Sequence, residues 1–386
     1  MSQEYFLRQQ RLQRAMREQG IDAFILIHSV ALLYFTGTLQ NGYLVVPAEG
    51  ESVYFVRKSV SRGRQEYEGR VEPLESMEAL AAVVGKEKPV IALEYDVTPL
   101  TYFGRLQKTF PDAVWKDGTQ IVRELRMYKS AQEVEKIREA ARAVDTALNK
   151  MLEYIQPGMT EYELMAKVDY ELKRLGHIGI MRSRGYNAFL LCGVVLAGPA
   201  AAVPSYFDGP AGGTGISRAN PQGAGNNRIE RNQPILLDVG CCFDGYMIDQ
   251  TRTAVIGQLP DELQYAYDVS ERIARETERL LRPGAVCEDL YLASLKIAEE
   301  AGLIDHYMGY KEDRAKFLGH GVGLEIDELP VLAEKFKTRL APGMVIAVEP
   351  KFTFPGQGVV GTEDTYLITE TGWERLSVNK QGLIRL

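Results

Sequence analysis

The chain has 386 residues, of which 45% are hydrophobic and 25% are charged, and its formal net charge is −7. This length exceeds the size at which one hydrophobic core usually keeps growing, so we expect two domains. The net negative charge gives no support for binding to nucleic acid, the polar first residues argue against a targeting peptide, and no apolar stretch is long enough to span a membrane. Four cysteines in a chain of this length do not make a disulfide framework, so we expect a cytoplasmic protein.

The first third of the sequence alternates between strand-like and helix-like patterns. Residues 4–19 place the apolar Phe6, Leu12 and Met16 among charged residues, which predicts an amphipathic helix that ends at Gly20. Strands are predicted at 23–27, 42–46, 52–56 and 90–93, and helices near 76–84 and 100–109. This alternation predicts a small α/β domain over residues 1–124, with a boundary near 117–129.

The remaining residues, 125–386, form the second predicted domain. Two capping boxes, Ser130 with Glu133 and Thr160 with Glu163, open helices that extend to a Pro-Gly break and to about residue 175. Further helices are predicted at 261–281 and 288–300. The segment 205–225 is rich in Gly, Pro and Ala, and we interpret it as a functional loop or lid because it lacks the lysine of a phosphate-binding loop.

A predicted hairpin over residues 235–257 carries two acidic residues. Asp244-Gly245 is a strong signal for a two-residue turn. The resulting register pairs Phe243 with Tyr246, Asp238 with Thr251, and Gly240 with Asp249. Asp238 and Asp249 would then share one face with their backbones about 7–8 Å apart. A solvated sheet face is the alternative, but the apolar flanks favour burial, where two carboxylates need a cationic partner such as a divalent ion or a pair of them.

Three more metal-ligand residues occur in strand-like context downstream. His320 lies among glycines and taken alone would be a satisfied core histidine, Glu349 ends an apolar run, and Glu363 begins another. Oxygen ligands with a single nitrogen suit Mn, Co, Fe or Zn. The candidate ligand set is therefore Asp238, Asp249, His320, Glu349 and Glu363.

These segments carry a family resemblance. The series LLDVG, DGYMIDQTRT, GHGVGLE, VEP and TEDTYLIT closely resembles the pita-bread metallopeptidase superfamily, which includes methionine aminopeptidase, aminopeptidase P, prolidase and creatinase. Residues 123–140 and 157–164 are similar to the opening helices of the prolidase and aminopeptidase P catalytic domain. The resemblance spans essentially the whole chain. It implies an α+β fold in which a creatinase-like α/β N-terminal domain, 1–124, precedes a pita-bread catalytic domain, 125–386.

The resemblance also implies roles for the five candidate ligands. Asp238 would chelate one of two divalent metal ions (Mn, Co, Zn or Fe), and Asp249 and Glu363 would bridge both ions. His320 and Glu349 would bind the second ion, with Glu349 as the general base that assists attack of an activated water on the scissile carbonyl. Relatives of this architecture are commonly dimers, so a homodimer is expected.

The substrate pocket departs from the Xaa-Pro peptidase branch. Ser205 stands where that branch has a histidine after Ala-x-Pro, Asp327 stands where a second histidine follows His320 by seven residues, and Gly361 replaces an arginine. As substrate-binding residues, Ser205 and Asp327 would not replace two imidazoles. Asp327 would instead favour a cationic substrate group, unless it only caps a local turn.

Three functions therefore compete. The first is a dinuclear metal-dependent hydrolase of peptide bonds, similar to an Xaa-Pro dipeptidase or aminopeptidase, acting on a short peptide. The second is hydrolysis of a small non-peptide amide or amidine by the same metals. The third is a non-catalytic binding protein on the same fold, which the presence of all five ligand-type residues disfavours.

Overall fold

The computed structural model describes residues 2–386, which form two compact units. The first unit comprises residues up to 126 together with 184–187, and the second comprises 127–183 and 188–386. The segment 184–187 thus groups with the first unit, although the sequence placed all of 125–386 in the second domain. An ion pair explains this, because Arg184 donates to Glu94 at 2.9 Å and to Asp96 at 2.6 Å.

The first unit is an α/β domain built on one mixed sheet. Its strands pair in the order β4–β3–β2–β1–β5–β6, with β1, β5 and β6 parallel and β2 antiparallel to both β1 and β3. The elements are α1 (Ser2–Glu18), β1 (Ala23–Leu26), α2 (Ser29–Thr36), β2 (Gly42–Pro47), β3 (Val53–Val56), α3 (Val60–Glu66), β4 (Arg70–Pro73), α4 (Glu78–Val84), β5 (Val90–Leu93), α5 (Leu100–Thr109) and β6 (Val114–Asp117).

Most of the predicted elements of this unit are confirmed, but four were missed. Helix α2 reads SVALLYFT and is buried over most of its length, so it has no amphipathic period to detect. The short α3, β4 and β6 also escaped prediction. In α1, Leu12 and Met16 are fully buried, whereas Phe6 is 59% exposed, so the buried face of this helix is formed without Phe6.

The predicted boundary at 117–129 is largely helical. Helix α6 (Thr119–Met127) occupies it, and only two residues separate its end from Ser130, the N-cap of the next helix. Its sequence, TQIVRELRM, alternates apolar and polar residues at helical spacing. The change from the first compact unit to the second, between residues 126 and 127, falls within this helix.

The second unit combines helices with several mostly antiparallel sheets, which gives the α+β class expected for the chain. The elements are α7 (Ala131–Tyr154), α8 (Glu161–Arg174), β7 (Gly193–Ala197), β8 (Ile235–Val239), β9 (Cys241–Phe243), β10 (Tyr246–Ile248), β11 (Thr251–Val255), α9 (Asp261–Leu280), α10 (Cys287–Glu300), β12 (Phe317–Gly321), β13 (Glu328–Ala333), β14 (Val345–Val348), β15 (Lys351–Phe354), β16 (Gly358–Gly361), β17 (Asp364–Ile368), β18 (Trp373–Arg375) and β19 (Ile384–Arg385). The sheets are β19–β11–β8–β7, β13–β12–β14–β17–β18, β10–β9 and β15–β16. Both predicted capping boxes are present, at the starts of α7 and α8.

The predicted hairpin exists but is interrupted. Asp244 and Gly245 both have positive φ, at 45° and 92°, as a type I′ turn requires, and Asp238 pairs with Thr251 as expected. Gly240 and Asp249 lie in the gap between β8–β11 and β9–β10, so their predicted pairing is not part of either ladder. Asp249 therefore lies in a connection, where its side chain is not held to one face of a sheet.

Backbone hydrogen bonds help to organise the Gly-rich segment 205–225. Gly215 donates to the Gly223 carbonyl at 3.0 Å, and a Cβ at Gly215 would lie only 1.9 Å from the Asn220 carbonyl oxygen. The fully buried Glu161 of α8 anchors the end of the segment, because it accepts from the amides of Ala197 (2.7 Å) and Gly225 (2.9 Å). The glycines are thus needed for close backbone approach.

Replacing Glu161 by Ala should loosen this segment. The substitution leaves buried amide donors without an acceptor, so we expect the free energy of unfolding to fall by about 2–4 kcal/mol. Urea denaturation of the variant measures this. Glu153→Ala, in an exposed helical pair with Lys150, is the control and should change stability by less than about 0.5 kcal/mol. Equal losses in the two variants would contradict the anchoring role.

Candidate metal centre

The five candidate ligands lie on the wall of one cavity in the second unit. They lie in or next to five strands of three sheets. Asp238 is in β8, Asp249 follows β10, His320 is in β12, Glu349 follows β14, and Glu363 precedes β17.

Strand register brings these residues together. His320 pairs with Ala347 across β12 and β14, and β14 pairs in turn with β17. A bridge between Thr251 and Glu363 connects β11 to the start of β17, with amide-to-carbonyl distances of 3.3 and 3.1 Å. The second sheet is thereby fixed against the first at the position of the carboxylates.

Asp249, His320 and Glu363 form a group with the geometry of a metal site. Their potential ligand atoms lie within 4.8 Å of one another. His320 Nδ1 is 2.9 Å from the Ile326 carbonyl, which can only accept, so Nδ1 carries a proton, and Nε2 is the nitrogen that binds a metal once it loses its own proton. Glu363 Oε1 is buried and has no hydrogen-bond partner among residues 2–386. A buried carboxylate oxygen of this kind, beside an imidazole nitrogen, fits a divalent cation.

Lys351 is a residue of this site that the sequence analysis missed. Its ammonium nitrogen lies 2.7 Å from Glu349 Oε2, 2.9 Å from Glu363 Oε2 and 3.3 Å from Asp238 Oδ2, and its side chain is 1% exposed. The sequence does hold a signal for it. Lys351 opens the strand KFTF, which is buried throughout, and a lysine is almost never fully buried without anionic partners.

The pKa values of the carboxylates reflect this crowding. Burial raises the pKa of Asp249 well above its ordinary value, and the Glu363 charge raises it further. Burial also raises the pKa of Glu363, to about 7, although the Lys351 charge opposes that rise. Burial likewise favours a higher pKa for Glu349, but Lys351 and His320 outweigh it and lower this pKa to about 2. The lysine is therefore the strongest local stabiliser of Glu349 in its charged form.

The sequence model of one known family covers most of the second unit. Residues 135–370 match the model described as metallopeptidase family M24, and residues 8–128 match the creatinase/prolidase N-terminal domain. The chain belongs to metallopeptidase family M24.

Known relatives and solved structures agree with this membership over nearly the full length. The chain is 26% identical to the Xaa-Pro dipeptidase of Pyrococcus furiosus, over 98% of this chain and 99% of that protein. The crystal structure of the prolidase from Pyrococcus horikoshii superposes with a TM-score of 0.82 at 25% identity, covering 98% of this chain and 99% of that one. The prolidase structure from Pyrococcus furiosus gives a TM-score of 0.80 at 26% identity, covering 96% of this chain and all of the other.

These comparisons confirm the predicted fold, a creatinase-type N-terminal domain followed by an M24 catalytic domain, and the predicted class, a metal-dependent peptide hydrolase. The family also implies divalent metal ions. Across residues 2–386, every helix is too short or too polar to span a bilayer.

The two predicted substrate residues of this metallopeptidase lie in different places. Asp327 lines the cavity of the carboxylates, with Oδ2 accepting from Ser183 at 3.4 Å and Oδ1 lying 3.6 Å from His320 Nδ1. Ser205 lines a neighbouring cavity, and its hydroxyl accepts from the Phe207 amide at 3.3 Å. The structure thus brings Asp327, but not Ser205, to the candidate metal centre.

The turn before β13 is capped by the carboxylate of Glu328. The Glu325 amide donates to Glu328 Oε1 at 3.1 Å, and the buried Lys129 ammonium donates to Glu328 Oε2 at the same distance. Glu328, and not Asp327, therefore caps this turn. Asp327 keeps its carboxylate directed to the cavity wall, where a substrate can reach it.

The charged side chains of the cavity wall are carboxylates, beside the imidazole of His320. Among its described lining residues there is no Lys or Arg. Its carboxylates are Asp208, Asp238, Asp249, Asp327, Glu349 and Glu363. Such a wall attracts a cationic group of a substrate and offers no ion pair to a substrate carboxylate.

Arg252 holds the strand segment that carries Glu363. It is fully buried and donates to the Asp364 carboxylate at 2.7 Å and to the carbonyls of Thr251 and Glu363 at 2.8 Å each. Its remaining donors reach carbonyls of the segment after β18. Arg252 therefore couples folding of the second unit to the position of Glu363.

Replacing Arg252 by Ala should be strongly destabilising. It leaves Asp364 as a buried charge that has lost its closest cation, and breaking a buried pair in this way typically costs about 3–5 kcal/mol. Chemical denaturation measures the loss. Arg275→Ala removes an arginine that is 61% exposed and pairs with Glu271 on the surface, so it should cost about 1 kcal/mol or less. A loss of that small size for Arg252→Ala would show that Arg252 does not hold this segment.

Proposed function

We propose that this metallopeptidase hydrolyses Xaa-Pro bonds in short peptides whose amino-terminal part carries a positive charge. The observation that carries the proposal is the convergence of Asp249, His320 and the unpaired Glu363 oxygen in a cavity with an acidic wall. The Xaa-Pro preference follows the names of the relatives from Pyrococcus. The preference for positive charge follows the position of Asp327.

The proposed roles of the metal ligands begin with Asp249, His320 and Glu363. When bound there, a divalent cation supplies Lewis acidity and a water molecule of lowered pKa. The Ile326 carbonyl fixes the His320 tautomer that presents Nε2 to the cation. Asp238 and Glu349 complete the predicted set of five, and both contact Lys351.

Glu349 is the proposed general base. Its Oε2 atom accepts from Lys351 at 2.7 Å, whereas its Oε1 atom lies 3.5 Å from His320 Nε2 on the cavity wall. Oε1 is thus the oxygen that can take a proton from an attacking water and pass it to the leaving amine. Lys351 holds the carboxylate in that orientation.

Removal of the proposed base tests the mechanism. Glu349→Gln should lower kcat on an Xaa-Pro substrate by about 10²–10⁴-fold, because proton transfer by a positioned group contributes that much. The full chain is assayed with Mn or Co added, and after treatment with a chelator, which should abolish the activity until metal is restored. Glu374→Gln, at an exposed pair with Arg138, is the control and should keep the activity of the natural chain.

The substrate panel for this assay compares Lys-Pro, Leu-Pro and their carboxyl-terminal amides. Lys-Pro should be cleaved with the higher kcat/KM, and amidation should not reduce cleavage, since the described cavity wall offers no cation to a carboxylate. Metal-independent cleavage, or no cleavage of any Xaa-Pro compound, would refute the proposal.

A second function is favoured by the same acidic wall. A small cationic amide or amidine without a carboxylate would satisfy Asp327 and would need no cation from the protein. Hydrolysis of such compounds, with Xaa-Pro peptides left intact under the same metal conditions, would select this function over the first.

The role of Asp327 has its own test. Asp327→Asn should raise KM for Lys-Pro about 3- to 10-fold, as expected for a partly exposed charge pair, and leave KM for Leu-Pro unchanged. Asp244→Asn is a matched control, because Asp244 is an exposed carboxylate in the turn between β9 and β10 and its positive φ suits Asn equally well. Equal effects of Asp327→Asn on both substrates would exclude charge recognition by this residue.

A further inference from the structure

The position of Lys351 bears on how many cations the centre can bind. Its ammonium group has three N–H donors, and three carboxylates lie around it: Glu349, Glu363 and Asp238, at 2.7, 2.9 and 3.3 Å. We infer that Lys351 takes the place of one of the two predicted metal ions, so that the centre binds a single divalent cation on Asp249, His320 and Glu363. This inference rests on the metal centre of the proposed function and sets its stoichiometry.

The oxygens nearest to Lys351 are already engaged. Glu363 Oε2 accepts from both Lys351 and the Thr251 hydroxyl, the latter at 2.7 Å. Glu349 Oε2 accepts from Lys351 at 2.7 Å. A transition-metal ion needs such oxygens at about 2.0–2.2 Å, so an ion between them would occupy the space of the ammonium group. It would also lie beside a positive charge in a buried site, where repulsion is weakly screened.

The opposite side of the same carboxylates is free of the lysine. Glu363 Oε1 has no hydrogen-bond partner in the described chain, and the His320 Nε2 lone pair is not used by a backbone donor. One ligand atom of each of Glu363, His320 and Asp249 lies within 4.8 Å of the other two. Glu363 therefore binds the lysine through Oε2 and keeps Oε1 for a metal ion.

The fold provides space for Lys351 by means of a glycine. Gly361 of β16 pairs directly with Lys351 of β15, and a Cβ at this glycine would lie 2.7 Å from Lys351 Cα and 2.8 Å from Lys351 Cγ. Any side chain at position 361 would displace the lysine stem. The Lys351 carbonyl is held as well, by the Met308 amide at 2.9 Å. The ammonium group is thus placed by two paired strands and is not a mobile surface charge.

The test is metal stoichiometry of the full chain. Purified protein is titrated with Mn(II) by calorimetry, the bound metal is measured by mass spectrometry, and the EPR spectrum reports whether bound Mn(II) ions are exchange-coupled. The natural chain should bind one ion per chain and show an uncoupled Mn(II) spectrum. Lys351→Ala should bind a second ion at least about 100-fold more tightly than the natural chain, since it removes both the charge and the occupied space. Lys296→Ala, an exposed lysine of α10, is the control and should bind one ion.

The other outcomes would contradict either the single-ion stoichiometry, the role of Lys351 or the metal centre itself. Two coupled ions in the natural chain would refute the inference and leave the proposed function standing. One ion in both the natural chain and Lys351→Ala would show that the lysine does not exclude the second ion. No bound metal in either protein would refute the metal centre of the proposed function itself. If Lys351→Ala does not fold, as judged by circular dichroism, the stoichiometry and EPR spectrum of the natural chain decide between one ion and two.

Discussion

The concentration of four carboxylates at one buried point is the constraint on which the catalytic unit depends. Asp238, Asp249, Glu349 and Glu363 repel one another and resist burial, and the pKa values of Asp249 and Glu363 are raised accordingly. Such a cluster folds only if cations compensate it. Lys351 supplies one positive charge from the chain itself, and the family to which the protein belongs implies that metal supplies the rest.

Compensation by a lysine changes what the site can do, because an ammonium group and a metal ion are not equivalent. An ammonium group donates hydrogen bonds and holds its charge, but it does not activate water as a metal does. The structure separates these two tasks across Glu363, with Oε2 directed to Lys351 and Thr251 and Oε1 left without a partner. Arg252 helps to keep Glu363 in this position, since it donates to the Glu363 backbone carbonyl. The lysine and the arginine are therefore structural parts of the same centre.

The part of the cavity proposed to bind substrate is also negatively charged. Asp327 adds a carboxylate to the wall next to His320, and no described lining residue supplies a Lys or Arg to offset it. Ser205, the other predicted substrate residue, lines a different cavity. The structure thus places the two predicted substrate residues in two different cavities. The fold that this chain shares with a prolidase at 25% sequence identity does not by itself determine the substrate, because a few side chains set substrate choice.

Local chemistry was well determined by the sequence alone. The capping boxes that start α7 and α8, the turn at Asp244-Gly245 and the pairing of Asp238 with Thr251 are all set by residues close together in the chain, and all are confirmed. Helix α2 escaped prediction because burial on nearly all sides removes the amphipathic period that sequence analysis detects. The five candidate ligands could be chosen from the sequence because an acidic or imidazole group in a buried strand needs a partner.

Only the tertiary structure determined what those partners are. Lys351 faces Asp238, Glu349 and Glu363 because β15 pairs with β16 and because Thr251 bridges to Glu363, and no local pattern encodes these contacts between sheets. The sequence analysis interpreted Gly361 as the replacement of an arginine. In the structure, its lack of a side chain leaves space for Lys351. The physical reason is general: residue type fixes which charges must be neutralised, but long-range strand register fixes which cation reaches them.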